Sequence, residues 1–275
     1  MSKIWFITGA NRGFGRVWAE AALKRGDRVA ATSRQPEALQ DLVTQFGGAV
    51  LPLRLDVTDR ATAIAAVEQA AKTFGGLDVV VNNAGYGLFG AVEEVTEQQV
   101  RDQLEVNFFG VLNVTQAVLP ILRKQGHGHI IQVSSIGGLI AYPNLGAYHA
   151  SKWAVEGLTE ALAQEVAPFG IKVTLVEPGG YATDWGRGSA VHANPAPQYD
   201  PLRRAQADIW ANVPAEFIGK PAATGPAILQ VVDAAEPPTR IFFGLTPTRT
   251  IVDVYAKRLQ TWKDWEAVSI AANGH

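Results

Sequence analysis

Seven short apolar runs, KIWFIT (3–8), RVAAT (28–32), AVLPLRL (49–55), LDVVVN (77–82), HIIQVS (129–134), KVTLVE (172–177) and RIFF (240–243), alternate with longer stretches of helical period. No other feature constrains the fold as strongly, because a strand–helix–strand repeat sets consecutive strands parallel and joins them by crossover helices. Several runs are apolar on both faces, as strands covered by helices on both sides must be. Helices are expected at about 13–25, 36–45, 59–74, 97–124, 145–168, 219–234 and 248–267, with Gly26, Gly47 and Gly170 as stop signals just past three of the ends.

At 275 residues the chain can bury a full core. It has no cysteine, so disulfides, thiol catalysis and thiolate zinc sites are excluded, and no metal site is expected. The net charge is −2 with both signs interspersed, which suggests neither a nucleic-acid surface nor a polybasic membrane patch. A small neutral or mildly polar molecule is the expected partner. The opening MSKIWFITGA has too short an apolar run for a signal peptide or a membrane span, so a cytoplasmic protein is expected.

One region breaks the alternation. Between Asp184 and Lys220 prolines and glycines cluster, with Trp185, Tyr199, Trp210 and Phe217 scattered among them. Those aromatics are too apolar for a free linker, so 184–220 is expected to be a substrate-binding lid.

ITGANRGFG ends the first strand and opens the first helix, with glycines at 9, 13 and 15. Gly9 suits the tight turn. Gly13 and Gly15 are expected to admit a pyrophosphate over the helix N-terminus, where unpaired N–H groups favour an anion. The second strand ends in Ser33 and Arg34, where an NAD site would set an acidic side chain on the ribose 2′-hydroxyl. Arg34 and Arg12 instead offer guanidinium groups for a 2′-phosphate, each contact worth roughly 1.5–3 kcal/mol, or about 10- to 100-fold in favour of NADP. Asp56, after the third strand, suits either an adenine amino group or the cap of the next helix.

In NLGAYHASKWAVEGL (144–158), Tyr148 and Lys152 lie four apart and share a helix face, with Cβ atoms about 5–6 Å apart. A tyrosine titrates near 10, and proton transfer at neutral pH wants about 7. An ammonium at that range, in an effective dielectric of about 20, supplies about 2 pKa units of the difference. Lys152 is therefore expected to lower the Tyr148 pKa, with an oxidised nicotinamide supplying the rest. Ser135 ends the fifth strand, where open parallel sheets present their ligands. Asn107 interrupts an apolar helix, where its amide needs partners. His127 and His149 read as structural, with no carboxylate partner at useful spacing.

Together these motifs resemble the short-chain dehydrogenase/reductase family in its compact single-domain form, here 1–275. TGANRGFG matches TGxxxGxG, followed in the family's order by NNAG (82–85), Asn107, Ser135, the Tyr148–Lys152 pair and PGGYAT (178–183) for PGxxxT. The resemblance implies an α/β, three-layer, Rossmann-type doubly wound sheet of about seven parallel strands in the order 3-2-1-4-5-6-7, and a homodimer or homotetramer. It implies a catalytic set of Asn107, Ser135, Tyr148 and Lys152: Tyr148 as acid and base, Ser135 holding the substrate oxygen, Lys152 also binding the nicotinamide ribose, and Asn107 holding a relay water. The cofactor-binding set expected for NADP(H), with NAD less favoured, is Gly9, Asn11, Arg12, Gly13, Phe14, Gly15, Arg34, Asp56, Val57, Asn83, Ala84, Gly85, Tyr148, Lys152, Pro178, Gly179 and Thr183.

PGGYATDW and GYGLFGAVEE look most like the 17β-hydroxysteroid dehydrogenase-like subgroup, a likeness that does not make a steroid the substrate. An apolar substrate pocket is expected from Tyr86, Phe89, Leu139, Tyr142, Leu145, Tyr181, Trp185 and Trp210, for a ketone, aldehyde or alcohol with a hydrophobic body. A nucleotide-sugar epimerase or dehydratase would usually carry TGxxGxxG in a longer chain. A non-catalytic NADP sensor would typically lack part of the tetrad, which this chain keeps whole.

Overall fold

The computed structural model describes residues 2–186, 188 and 190–274; Arg187 and Ser189, within the expected lid, lie outside the described residues. Seven strands, β1 (Ile4–Ile7), β2 (Arg28–Ser33), β3 (Val50–Arg54), β4 (Val79–Asn82), β5 (Gly128–Val133), β6 (Ile171–Pro178) and β7 (Arg240–Phe243), form one parallel sheet. Their order is β3-β2-β1-β4-β5-β6-β7, the Rossmann-type order the sequence implies.

Alternation along each strand feeds two cores. Trp5, Ile7, Val79, Val81 and Ile131 join Trp18, Leu23, Ile228 and Val232 on one face, under α1 (Gly13–Arg25), α2 (Gln40–Phe46) and α8 (Thr224–Asp233). Phe6, Val80 and Ile130 join Val67, Val114, Leu122 and Leu162 on the other, under α3 (Arg60–Phe74), α5 (Gly110–Gln125) and α6 (Gly146–Val166). Each such side chain stabilises the fold by roughly 1.5–3 kcal/mol relative to exposure. That is why both strand faces read as apolar.

Two expected helices are interrupted. The stretch 97–124 divides into α4 (Glu97–Leu104), a π-helical turn (Glu105–Phe109) and α5. The widened turn sits where the buried Asn107 amide must reach the loop at Tyr86. Glu97–Gln125 is long and apolar enough to cross a membrane, yet its α5 part buries Val111, Val114, Val118 and Leu122 inside the protein. At the far end α9 (Leu245–Asp264) stops at Trp265 before a short α10 (Glu266–Ala271).

The stretch 184–220 carries structure that its prolines and glycines conceal. Val191–His192 pairs in parallel with Leu88–Phe89, and α7 (Asp200–Ala211) follows. The cap of α3 is Asp59, whose carboxylate accepts from Ala61 N and Thr62 N. Asp56 instead accepts from Thr58, 2.8 Å from its hydroxyl, so the capping alternative for Asp56 is overturned.

Candidate active site

The site forms where the strand order reverses between β1 and β4, at the C-terminal ends of the strands. Thr8 is its keystone. Its hydroxyl accepts from Asn83 N and Ala84 N at 2.9 Å each, and the Asn83 amide donates to Thr8 O (2.9 Å) and Gly9 O (3.2 Å). The glycine loop is thereby stapled to the end of β4. The sequence reading gave Thr8 no role.

The glycines divide their work differently from expectation. A Cβ on Gly15 would lie 2.5 Å from both Gly9 O and Asn83 Nδ2, so Gly15 serves the closeness of helix to loop rather than of helix to ligand. Gly13, at φ +58°, faces open space. No side chain caps α1 at Arg12 and its first turn holds no acid, which leaves its N–H groups for an anion. This cradle fits a diphosphate.

Phe14 stacks on Trp18 (5.6 Å) and meets Tyr181 edge-on (4.9 Å), so its ring belongs to the core and only its backbone can serve the loop. Ala10 N donates to Thr32 O and Leu55 N to Ser33 O, which gathers the ends of β1, β2 and β3. Asn11, Arg12, Arg34 and Asp56 border that junction. Arg12 and Arg34 are exposed, and neither guanidinium has a hydrogen-bond or ion-pair partner among the described residues. Val57 is buried against Gly110 and its carbonyl accepts from Asn113 Nδ2, which leaves its backbone N–H for a ligand.

At the reaction end, Tyr148 is 6% and Lys152 7% exposed, one turn apart on α6. The Ser135 hydroxyl lies beside the phenol, where it favours the ionised form, and accepts from Gly137 N at 3.0 Å. Lys152 Nζ donates to Val133 O (2.8 Å) and stands 5.9 Å from the phenol ring centre. Burial pushes the Tyr148 phenol up to about 12, partly offset by Ser135. Burial pulls Lys152 down to about 8, against the charge of Glu156. This reverses the expected lowering of Tyr148: the ammonium is spent on a backbone carbonyl, and desolvation of the phenolate outweighs it.

Asn107 is fully buried. Its Oδ1 accepts from Tyr86 N (3.0 Å), and its Nδ2 donates to Tyr86 O (3.0 Å) and Ser151 Oγ (3.1 Å). The amide positions the loop after NNAG, and protein partners take its donors. Gln103, also fully buried, clamps the same loop through Leu88 N and Tyr86 O. Gly85 faces Asn107 Oδ1 and Lys152 Nζ, 3.1 and 3.8 Å from where a Cβ would sit. Both His149 ring nitrogens bond backbone, at Gly137 O and Tyr142 N. His127 does have a carboxylate partner, Asp78 at 3.2 Å, distant in sequence and brought near by β4.

The expected pocket residues do not all meet. Trp185 lies 4.8 Å from the Tyr148 ring and 5.5 Å from Phe89, which stacks on His192. Gly87 leaves room for that indole. Tyr86 is half-buried beside this wall, Leu145 bridges to Gly90, and Tyr142 is exposed near His149. Leu139 instead packs with Ile136, Ile140 and Ile251, because the turn after Ser135 buries it under α9. Tyr181 packs against Phe14, Gly219 and Gly244. Trp210 is 61% exposed, with its ring edge near Gly180. Pro178 and Gly179 close β6, where a Cβ on Gly179 would strike Pro247, and the Thr183 hydroxyl accepts from Trp185 N.

The 184–220 stretch is fastened by two neighbouring carboxylates, chiefly Glu94. Glu94 accepts from Ala91 N and Ala196 N and pairs with Arg203 of α7. Those backbone donors first, and then Arg203, hold its carboxyl below the usual range. Tyr199 donates to Glu93, and Gln206 to Pro143 O.

A family model described as short chain dehydrogenase matches residues 3–192. The chain belongs to the short-chain dehydrogenase family. It is therefore an oxidoreductase acting on a CH–OH or C=O group. An oxidoreductase of Botryotinia fuckeliana is 46% identical over 245 residues, 89% of each chain. A 3-ketodihydrosphingosine reductase of Bacteroides thetaiotaomicron is 48% identical over 181 residues, 66% of this chain and 65% of that one. A solved short-chain dehydrogenase from Streptomyces avermitilis superposes with a TM-score of 0.90 at 38% identity, covering 98% of both chains.

Proposed function

We propose that this short-chain dehydrogenase is an NADP(H)-dependent ketoreductase for a small molecule with a hydrophobic body. The observation that carries the reading is the buried Tyr148 phenol, held beside Ser135 with Lys152 one turn away, at the strand ends beside the glycine cradle. When bound, the nicotinamide supplies or accepts the hydride. Every other part is the chain's own.

Ser135 orients the substrate oxygen and donates to the negative charge that develops on it. Tyr148, kept protonated by burial, delivers the proton to that oxygen in reduction. Lys152 holds positive charge beside the phenolate that results, and orients a ribose. In oxidation Tyr148 acts as base and needs further positive charge nearby, since its pKa in the protein alone lies far above neutrality. Asn107 fixes the loop at Tyr86 with its amide, beside Gly85 and Lys152. Arg12 and Arg34 take the 2′-phosphate, and Thr183 the carboxamide.

Trp185 and Phe89 beside Tyr148 support an apolar substrate, with 184–220 as its lid. The relative named for a keto substrate supports reduction of a ketone. Tyr148→Phe tests the assignment. Turnover of ketones with NADPH should fall by about 10²- to 10⁴-fold while NADPH affinity stays near that of the wild type; wild-type turnover would remove Tyr148 as the acid.

A further inference from the structure

We infer that Glu156 is a positioning residue for the reaction centre: it ties the Ser135 loop to α6 through Ser134 and supplies the counter-charge that keeps the Lys152 ammonium protonated. The inference rests on the proposed roles of Tyr148, Ser135 and Lys152.

Tyr148, Lys152 and Glu156 follow at four-residue steps, one stripe along α6. Opposite them, three successive residues at the end of β5 face the stripe, two of them hydrogen-bonded to it. The Ser135 hydroxyl lies beside Tyr148, Val133 O accepts from Lys152 Nζ (2.8 Å), and the Ser134 hydroxyl donates to Glu156 Oε1. The following turn closes on the last of these contacts. A Cβ on Gly138 would lie 2.6 Å from Glu156 Oε1 and 2.7 Å from Ser134 Oγ. Ser135 thus cannot shift without breaking the bond its neighbour makes to Glu156.

A carboxylate 5% exposed must be paired to stay charged. Facing Glu156 are the Ser134 hydroxyl from the loop after β5, Lys152 and Glu160 from its own helix, Arg240 from β7 and Glu177 from β6. Arg240 pairs with all three carboxylates. Facing Lys152 are Tyr148, the Asn107 amide side by way of Gly85, and Glu156. Glu177 is 1% exposed, its Oε2 lacks a partner among the described residues, and burial and the Glu156 charge push it up to about 7. Burial pushes the Glu156 carboxyl up as well, but the Ser134 hydroxyl, Arg240 and Lys152 all favour its charged form. Glu177 shares Arg240 and faces the Glu156 charge, so of the two buried acids the surroundings of Glu156 favour the charge more.

Glu156→Gln keeps the size and the acceptor for Ser134 but removes the charge. In protein labelled with ¹³C-lysine and without cofactor, the Lys152 titration, assigned with Lys152→Met, should move down by about 1–2 pH units. The alkaline limb of the kcat profile should follow, and Glu156→Asp should restore both. An unmoved Lys152 midpoint overturns the charge role. Ser134→Ala should lower kcat without moving that limb; wild-type kcat in this variant overturns the positioning role, and it carries the test alone if Glu156→Gln does not fold. Activity surviving in Tyr148→Phe would break the underlying reading instead. An inert Tyr148→Phe with an unmoved Glu156→Gln would break only this inference.

Discussion

Arg34 stands exposed at the end of β2, and what it does depends on what is absent around it: no carboxylate among the described residues takes up its charge. Arg16, one turn into α1, shows the contrast. It is bound by Asp41 and Glu20, which raise its pKa further. An arginine already paired in this way is a structural strut, whereas a free one at a strand end is available to a phosphate. Arg34→Asp should weaken NADPH binding relative to NADH by about 10- to 100-fold, the factor of one lost charge-assisted contact. Fluorescence titration with both dinucleotides measures it, and an unchanged ratio of dissociation constants would defeat the phosphate assignment. The type and place of this residue were legible in the sequence because the strand end is marked by its apolar run. Its freedom from partners was not, since Asp41 could equally have served Arg34 until the fold gave it to Arg16.

At the scale of elements, α7 and the strand pair at Val191–His192 are tied to the segment between β4 and α4, and Glu94 is their main fastening. Its two backbone donors and one guanidinium all want a full negative charge. A Gln at 94 would turn an N–H₂ toward at least one of them. Glu94→Gln should therefore raise substrate KM by about 3- to 10-fold, as one lost bond to a charged acceptor would, with cofactor Kd unchanged. A shift in cofactor Kd with constant KM would reject 184–220 as a substrate lid. None of this could be read along the chain. Glu94 meets partners at 196 and 203, the residue before it is another glutamate, and the stretch 184–220 is broken by proline, so local periodicity gives no sign of α7. The seven sheet strands were legible for the converse reason. Several are apolar on both faces, a property that a run of four to eight residues declares by itself.

For the molecule as a whole, the fold and the order of the site motifs were legible because they are set by local pattern, while the electrostatics were not, because burial decides them. Tyr148 is the clearest case: the sequence supplied the lysine but not the desolvation that outweighs it. His129 is another, and it governs how the whole protein responds to acid. It lies on β5, 5% exposed, with Nε2 2.9 Å from Thr174 Oγ1. The Thr174 hydrogen is committed to Pro238 O, so Nε2 is the donor. Burial, then Lys172 and Lys3, push its pKa down from 6.5 to about 4. Below 6.5 the unfolded chain binds a proton that the folded chain refuses, so this contribution is intact above 6.5 and is lost as pH falls toward about 4. Glu177 runs the other way. Raised from 4.5 to about 7, it contributes stability below 4.5 that is lost as pH rises toward about 7. Between them the two slopes oppose each other and flatten the wild-type curve. His129→Gln removes one of the pair. Relative to that variant, the wild type should lose about 2 kcal/mol of unfolding free energy between about pH 7 and about pH 5. Urea unfolding at both values measures the difference, and a gap independent of pH would show that His129 is not held neutral in the folded protein.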